Sequence, residues 1–281
     1  RGRGAPAAAA PPAAVGLHLR DVTLSYEEPG AGDGPEAKDG DEAAEAGERG
    51  GGPGKRVLRG LTLDIPAGAK VCIVGRTGAG KSSIFQALLR FYDYGGSITV
   101  DGARELAQLP RSESRRLFSY VPQEAVLLGS TLREALLGPV PASLASEARA
   151  WAALRDVGLH DAVAALPGGL AARLSGDAAV GFSAGEQQLL CVARALLRPA
   201  PVLLCDEMAS SLDATVDARI HDVVLRQERT VLSICHKLAH VHRFDLAVVM
   251  AAGRVAEVGA PAELLAAPGG ALRAMVAEQG G

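Results

Sequence analysis

The sequence predicts an α/β fold built on a largely parallel sheet. Short apolar segments of strand length, among them VCIVG, PVLLCDE, TVLSICH and LAVVMAAGRV, are separated by helical segments, and strands that alternate with helices are typical of a parallel sheet. Strands buried on both faces consist of nearly continuous apolar runs, as these do. With 281 residues, 48% of them hydrophobic, the chain is long and apolar enough for one large domain with a real core.

The N-terminal part combines a predicted strand with two polar segments. Residues 1–14 (RGRGAPAAAAPPAA) are rich in Ala and Pro, so we expect a disordered linker before a domain spanning 15–281. Residues 17–26 (LHLRDVTLSY) alternate apolar and polar side chains as a half-buried strand does. Residues 27–54 are dominated by Gly, Glu, Asp and Ala, and we expect a disordered surface insertion there rather than an acidic docking segment.

The remaining elements follow in the order of an α/β domain. VLRGLTLDI resumes the structure, VCIVG at 71–75 is a buried strand, 82–90 is a helix, and SITVDG is a strand with its turn. Residues 146–159 have the spacing of an amphipathic helix within a mostly helical stretch. The apolar strands PVLLCDE, TVLSICH and LAVVMAAGRV then complete the sheet.

Charge and cysteine usage exclude several classes of function. Residues 27–49 carry a net charge of −7 within a total of −3, so the rest of the chain is about +4. That part has no basic stripe with interleaved aromatic residues, and we expect no nucleic-acid partner. Four cysteines occur singly, which favours a reducing compartment. We expect no membrane span within the chain, because it has no run of about 18 apolar residues, and its start at Arg1 suggests a piece of a longer protein.

The segment GRTGAGKS at residues 75–82 predicts a phosphate-binding loop. It matches the spacing G-x-x-x-x-G-K-[ST] and lies between a predicted strand and a predicted helix. Glycines let successive backbone N–H groups point inward at a polyphosphate, and the helix start adds further free N–H groups. Lys81 would contact the β- and γ-phosphates of ATP, and Ser82 would bind Mg²⁺. The predicted nucleotide-binding residues here are Gly75, Thr77, Gly78, Ala79, Gly80, Lys81, Ser82 and Ser83.

A pair of carboxylates follows the apolar strand PVLLCDE. Charged side chains at the end of a buried strand are costly unless a cation or ligand compensates them. We therefore predict that Asp206 binds Mg²⁺. Glu207, beside the γ-phosphate, is the candidate general base that polarises the attacking water.

Between these two motifs, GFSAGEQQLLCVARALLRPAP resembles the signature segment of the ATP-binding cassette (ABC) transporter family. The resemblance covers about residues 17–278. It implies a phosphate-loop NTPase fold with a mostly parallel central sheet, an N-terminal antiparallel β subdomain and a helical signature subdomain at about 125–190. GRTGAGKSS, the LPGGL stretch and CVARALLR are most similar to the second nucleotide-binding domain of the C subfamily, the multidrug-resistance-associated exporters.

The resemblance also implies roles for residues outside the two motifs. Tyr26 matches the aromatic residue that stacks on adenine, although a packed core tyrosine is the alternative. Gln123 matches the glutamine that joins Mg²⁺ and the attacking water, and is included among the catalytic residues with Lys81. Ser183 and Gly185 match the residues that bind the γ-phosphate held by an opposing domain. His236 matches the histidine that contacts the γ-phosphate in catalysis; simple packing is the alternative.

The partners and cofactors follow from the same resemblance. The family binds ATP with Mg²⁺ between two nucleotide-binding domains, and SSLD at 210–213 resembles the loop that crosses their interface. Transmembrane domains of the same or an associated chain would place this domain on the cytoplasmic face of a membrane and use its ATPase cycle for export. Two alternatives are a nucleotide sensor that gates a partner with little hydrolysis, and a soluble cassette ATPase acting on ribosomes or DNA.

A metal cluster of His236, His240 and His242 is a further alternative. We do not favour it, because no nearby acid or cysteine in the sequence completes a familiar ligand set.

Overall fold

A computed structural model describes residues 13–26, 55–138, 140, 145–174, 181–208 and 212–280. Three predictions lie wholly or mostly outside these residues: the linker at 1–14, the insertion at 27–54, and the first two residues of SSLD. They remain predictions. Within the described residues, none of the helices is long and apolar enough to cross a membrane.

Ten strands within the described residues form two sheets. They are β1 Leu17–Tyr26, β2 Lys55–Ile65, β3 Lys70–Gly75, β4 Gly95–Val100, β5 Arg104–Glu105, β6 Phe118–Val121, β7 Val202–Asp206, β8 Thr230–Ile234, β9 Leu246–Ala251 and β10 Arg254–Gly259. The first sheet is antiparallel with the order β2-β1-β4-β5. The second has the order β10-β9-β3-β8-β7-β6 and is parallel except for β10. The predicted α/β fold with a mostly parallel sheet is therefore confirmed.

The helices pack on both sheets and between them. In the described residues they are α1 Lys81–Leu88, α2 Arg111–Ser114, α3 Leu132–Leu137, α4 Glu147–Asp156, α5 His160–Ala164, α6 Ala184–Leu197, α7 Ala214–Leu225, α8 Pro261–Ala266 and α9 Ala271–Gly280. Helices α3, α4 and α6 pack on one another around Leu136, Leu154 and Leu190, which are fully buried. These helices lie within or overlap the predicted helical subdomain at about 125–190, whose independence as a subdomain stays a prediction.

The local sequence explains where these helices begin. Thr131, Ser146 and Asp213 each stand immediately before a helix and accept hydrogen bonds from backbone N–H groups of its first turn, as good N-terminal caps do. The predicted helix at 146–159 is shorter than expected, ending at Asp156 with a separate helix beginning at His160. Gly158 has a φ of +73° between them, a conformation that ends a helix.

The apolar run LAVVMAAGRV was predicted as one strand, and that prediction is wrong. It forms β9 and the first residues of β10, which pair as an antiparallel hairpin. The turn between them consists of Ala252 and Gly253, which both have positive φ values, 47° and 79°. Two positive φ values at a two-residue turn match the right-handed twist of a hairpin. The pattern of apolar residues in this run does not reveal the turn, so the sequence alone does not distinguish one strand from two.

The parallel sheet determines where the functional residues lie. Strands β3, β7 and β8 are neighbours in the sheet, so their carboxyl ends meet at one edge, the usual ligand-binding edge of an open α/β sheet. Gly75 ends β3 and Asp206 ends β7. His236 lies two residues beyond Ile234, where β8 ends. The predicted phosphate loop, the acid pair and the histidine thus share one edge.

Candidate functional site

The segment from Gly75 to Lys81 forms a tight loop between β3 and α1. Gly75 has a φ of +155°, and a Cβ atom there would lie 2.5 Å from the carbonyl oxygen of Met250. A side chain at this position would clash with backbone, so glycine is required for the loop to pass over β9. Residues 76–79 line a cavity of about 350 Å³ with parts of β9 and α9.

Lys81 lies across this loop and is nearly buried, with 7% of its surface exposed. Its Nζ donates to the carbonyl oxygen of Gly75 at 2.8 Å and lies 3.4 Å from that of Arg76. The ammonium group is therefore held at the mouth of the loop rather than extended into solvent. A cation in this position faces whatever anion the loop N–H groups bind.

The structure brings Ser82 and Asp206 together, although they are 124 residues apart. Ser82 Oγ lies 3.5 Å from Asp206 Oδ1, and Tyr120 Oη donates to Asp206 Oδ2 at 3.2 Å. Burial raises the pKa of Asp206; the Tyr120 hydrogen bond opposes the rise, and the charge of Glu207 adds to it. A carboxylate disfavoured by burial gains from a cation placed beside it.

Glu207 occupies a strained position and is held by the glutamine that the sequence singled out. Its φ is +43°, a conformation that costs a non-glycine residue free energy and is concentrated at functional sites. Its backbone N–H donates to Ile234 O at 3.1 Å, and Gln123 Nε2 donates to its Oε2 at 3.0 Å. The carboxylate is thereby oriented toward Gln123.

His236 connects the acid pair to the phosphate loop. It lines one small cavity with Glu207 and a second cavity, of about 280 Å³, with Gly75, Arg76 and Thr77. Its carbonyl oxygen accepts a hydrogen bond from Gln279 Nε2 at 2.7 Å. The side chain is exposed toward the loop, so packing in a core does not account for its position.

Tyr26 lies beside the phosphate-loop helix. Its hydroxyl is 2.9 Å from Ser83 Oγ, and its ring meets that of Tyr92 edge to face at a centroid distance of 4.8 Å. It is half-buried and packs against the core at one side. Both readings of this tyrosine, stacking on a base and packing, are compatible with that position.

Ser183 and Gly185 lie apart from these residues, at the start of α6. Ser183 caps the helix, and the carboxylate of Glu186 returns to it: Glu186 Oε2 lies 2.8 Å from both Ser183 N and Ser183 Oγ. A Cβ atom on Gly185 would lie 3.3 Å from Val216, so glycine here lets α6 approach α7 closely. Among the described residues, neither lines the cavities that border the phosphate loop.

The oxygen donors at the edge of the sheet fit Mg²⁺. The Ser82 hydroxyl, the Asp206 carboxylate and the Gln123 amide are the hard oxygen ligands that Mg²⁺ prefers. The separation of 3.5 Å between Ser82 Oγ and Asp206 Oδ1 allows one small cation to contact both oxygens. Burial is the main cause of the raised pKa of Asp206, and the charge of Lys81 opposes the rise, so a bound cation would further favour the ionised carboxylate.

Sequence reasoning missed three residues that contact this site. Tyr120 binds Asp206. In α9, Glu278 pairs with Arg76 of the loop at 2.8 Å, and Gln279 binds the backbone on either side of Lys237. No motif marks these residues, because they reach the site through strand pairing and helix docking rather than through spacing.

Comparisons with known proteins return members of one family. Residues 58–210 match the family model described as ABC transporter. The chain is 38% identical over 229 residues to ABC transporter C family member 3 of Dictyostelium discoideum, covering 80% of this chain and 16% of that protein. It is 39% identical over 221 residues to the human protein named Iron-sulfur clusters transporter ABCB7, mitochondrial, covering 76% of this chain and 28% of that protein.

A solved structure is similar to this chain over nearly its whole length. The fold superposes on the structure of a bacterial Atm1-family ABC exporter with ATP bound, with a TM-score of 0.79 and 29% identity, covering 97% of this chain and 44% of that one. The chain therefore spans between about a sixth and less than half of the length of these relatives.

Proposed function

Since the chain belongs to the ABC transporter family, we propose that it is the ATP-binding and ATP-hydrolysing domain of an exporter. The observation that carries the proposal is the meeting of the phosphate loop with two carboxylates. Ser82 lies 3.5 Å from Asp206, and Gln123 holds Glu207 at 3.0 Å. Positioning and electrostatics are what phosphoryl transfer requires from a protein.

Different residues of this chain bind the phosphates and activate the attacking water. The loop N–H groups and the start of α1 bind the β- and γ-phosphates, and the ammonium of Lys81 balances their charge. Glu207 accepts the hydrogen bond of the attacking water and polarises it toward the γ-phosphate, while the Gln123 amide keeps the carboxylate oriented. His236, which borders both the loop and the Glu207 cavity, binds the γ-phosphate.

Magnesium would be held by Ser82, Asp206 and Gln123, and when bound it neutralises charge on the β- and γ-phosphate oxygens. Tyr26 would stack on adenine, since aromatic stacking on a base contributes on the order of 1 to 3 kcal/mol.

The proposed site is completed by a second domain. Ser183, Gly185 and the N-terminus of α6 lie away from the phosphate loop of the same chain, so they would bind the γ-phosphate of ATP held by a partner nucleotide-binding domain. ATP then favours the closed pair, and hydrolysis returns it to the open state.

Transmembrane domains, in the same or an associated chain, would couple this movement to export at the cytoplasmic face. The similarity to a relative named as a C family member supports a C-subfamily exporter.

The test is MgATP binding and turnover by the 281-residue chain and by Lys81→Ala. We expect the substitution to weaken ATP binding at least tenfold, because a charge-assisted contact to phosphate contributes more than about 1.4 kcal/mol. Turnover per molecule should rise with protein concentration, because the site is shared. A folded chain without MgATP affinity, or equal affinity in Lys81→Ala, would refute the proposed function.

A further inference from the structure

Asp217, His221 and His240 form a compact cluster between α7 and the segment that follows β8. Asp217 and His221 are one helical turn apart on α7, and His240 comes from the segment that follows β8. One ligand atom from each side chain lies within 4.8 Å of the other two. Asp217 Oδ1 is 2.8 Å from His221 Nδ1, and Asp217 Oδ2 is 3.6 Å from His240 Nε2.

The carboxylate of this cluster is buried with one oxygen unsatisfied. Asp217 is only 5% exposed, and in the described part of the chain its Oδ1 makes no hydrogen bond of acceptable geometry. The short approach to His221 does not satisfy it, because His221 Nδ1 also lies 3.0 Å from the Asp217 carbonyl oxygen and bonds there. A buried carboxylate in this state is costly unless a cation compensates it.

The His221 imidazole has the hydrogen bond that orients a metal-binding ring. His221 Nδ1 donates to a backbone carbonyl, which leaves Nε2 without a proton in the neutral ring, as in most metal-bound histidines. Arg243 lies in the same segment as His240, three residues beyond it. Arg243 is itself paired with Asp222, which leaves Asp217 as the acid of the cluster.

A small cavity adjoins the cluster. It measures about 20 Å³ and is lined by Asp217, His221, Ser233 and Cys235, and it extends to Glu207 and His236. This volume holds one water molecule. The Cys235 thiol lies outside the cluster and contacts Ser233 instead, with its Sγ 3.7 Å from the Ser233 carbonyl oxygen and 3.6 Å from the Ser233 hydroxyl. Water is therefore the natural fourth ligand.

From this geometry we propose that Asp217, His221 and His240 bind a zinc ion, with a water molecule as the fourth ligand. Two imidazoles and one carboxylate with an open position is a zinc ligand set, whereas Mg²⁺ and Ca²⁺ prefer oxygen ligands alone. The ion joins α7 to the segment that carries His236, two elements whose ends border the Glu207 cavity. Binding at this site does not depend on the proposed ATPase function.

The test is zinc binding by the whole chain after removal of metals with a chelator. Isothermal titration with Zn²⁺, without nucleotide or Mg²⁺, should give one site, and His240→Ala should weaken it at least tenfold. His240 is at the edge of the cluster, with 20% of its side chain exposed, so this variant is expected to fold; circular dichroism checks that. His242→Ala is the matched control, since His242 is exposed two residues away and its loss should leave affinity unchanged.

Two further measurements separate this site from other zinc ligands in the chain. Asp206→Asn should retain zinc binding, because Asp206 belongs to the phosphate site. Cobalt substitution should give visible bands typical of a tetrahedral site, without the near-ultraviolet charge-transfer band of a thiolate ligand. A folded chain that binds no Zn²⁺, equal affinity in His240→Ala, or loss of binding in Asp206→Asn would overturn the proposal and leave the cluster as a packed hydrogen-bonding group.

Discussion

The two groups of residues proposed to bind ATP differ in what holds them in place. The phosphate-loop group is formed by Lys81, Ser82, Gln123, Asp206 and Glu207. Side-chain contacts join Ser82 to Asp206 across 124 positions and Gln123 to Glu207 across 84, while Lys81 contacts carbonyl oxygens five and six positions away. In the signature group, formed by Ser183, Gly185 and Glu186, the side-chain hydrogen bonds span three positions. The fold therefore fixes the first group in advance, whereas the second is a helix start held by its own capping residues.

This difference has a functional reason under the proposed mechanism. Preorganised groups stabilise developing charge without reorganising at the moment of reaction, so the chemistry belongs with the phosphate-loop group. The signature group meets its phosphate only when two domains close. Local contacts that can be exchanged for contacts with a phosphate suit that task, and their strength should influence how readily the domains close.

The largest effect should come from Glu207→Gln. Removing a general base costs about 10²- to 10⁴-fold in rate, while the amide still accepts the Gln123 hydrogen bond and ATP binding is retained. Steady-state ATP turnover and nucleotide affinity measure the two effects separately. Glu228→Gln, at an exposed acid, is the control. If turnover survived in Glu207→Gln, another group would be the base.

The same substitution distinguishes a motor from a nucleotide sensor. In a full-length exporter, Glu207→Gln should abolish transport. If the domain only gates its partner, the variant should instead prolong the active state, because ATP remains bound without being cleaved.

Mixing two inactive variants tests whether the groups act from different chains. Lys81→Ala disables the phosphate-loop group and Ser183→Arg the signature group, so each variant alone should lose about 100-fold in turnover, as for lost oxyanion-type contacts. In a symmetric dimer, an equal mixture should recover about one quarter of the wild-type rate, since half of the dimers then contain one intact site.

Two observations interpret that mixture. Recovery must increase with protein concentration, and two copies of the same variant serve as controls. A Ser183→Arg variant with full activity on its own would place the signature group outside the ATP site.

Tyr26 offers a test of binding alone. Tyr26→Ala should weaken ATP binding about tenfold, within the 1 to 3 kcal/mol of base stacking, with little change in turnover at saturating ATP. Tyr26→Phe keeps the ring and removes only the contact with Ser83, so it should bind ATP nearly as the wild type does. Equal affinity in all three proteins, measured by titration, would identify Tyr26 as a packing residue.

Lys81, Ser82, Asp206 and Glu207 of the phosphate-loop group can be predicted from the sequence because their motifs are local, whereas Gln123 is implied only by the family resemblance. Each motif is contained within eight residues: the phosphate-binding loop that ends in Lys81 and Ser82, and the apolar strand that ends in Asp206 and Glu207. The parallel sheet then brings these short motifs to one edge, so that correct strand assignment was sufficient. The sequence does not reveal the role of Tyr120, because its contact with Asp206 depends on how β6 pairs with β7.

The Asp217 cluster shows the same limit more clearly. The sequence pointed to His236, His240 and His242 and found no acid to complete a metal site. The structure separates these histidines and joins His240 to Asp217 and His221 instead. The spacing of Asp217 and His221, four residues apart on one helix face, was a usable signal, but the proximity of His240 depends on how α7 packs beside β8.

Glu186→Gln should tighten domain closure. The Glu186 carboxylate accepts hydrogen bonds from the hydroxyl and the backbone N–H of Ser183. It also adds negative charge where a phosphate would bind. Its replacement should lower the protein concentration for half-maximal turnover about fivefold, close to 1 kcal/mol for one screened charge. Glu134→Gln is the matched control, because Glu134 also accepts a backbone N–H at a helix start. An unchanged concentration dependence would show that the cap does not compete with phosphate.

The smallest effect should be a gain in stability from Asp206→Asn without Mg²⁺. Burial raises the pKa of Asp206 from 3.8, so the folded state binds its proton more tightly than the unfolded state does. The resulting cost to folding is absent below pH 3.8, grows as the pH rises, and is complete above the raised pKa. The amide avoids this cost and still accepts the Tyr120 hydrogen bond, so the midpoint temperature of thermal unfolding, measured in chelator at pH 7, should rise by about 2 °C.

Two conditions test the cause of this gain in stability. The gain should disappear below pH 3.8, and it should shrink when MgATP is present, because the bound cation compensates the carboxylate of the wild type. A gain that persisted at low pH, or one that MgATP left unchanged, would mean that Asp206 is not the buried charge that the phosphate-loop group holds for a cation.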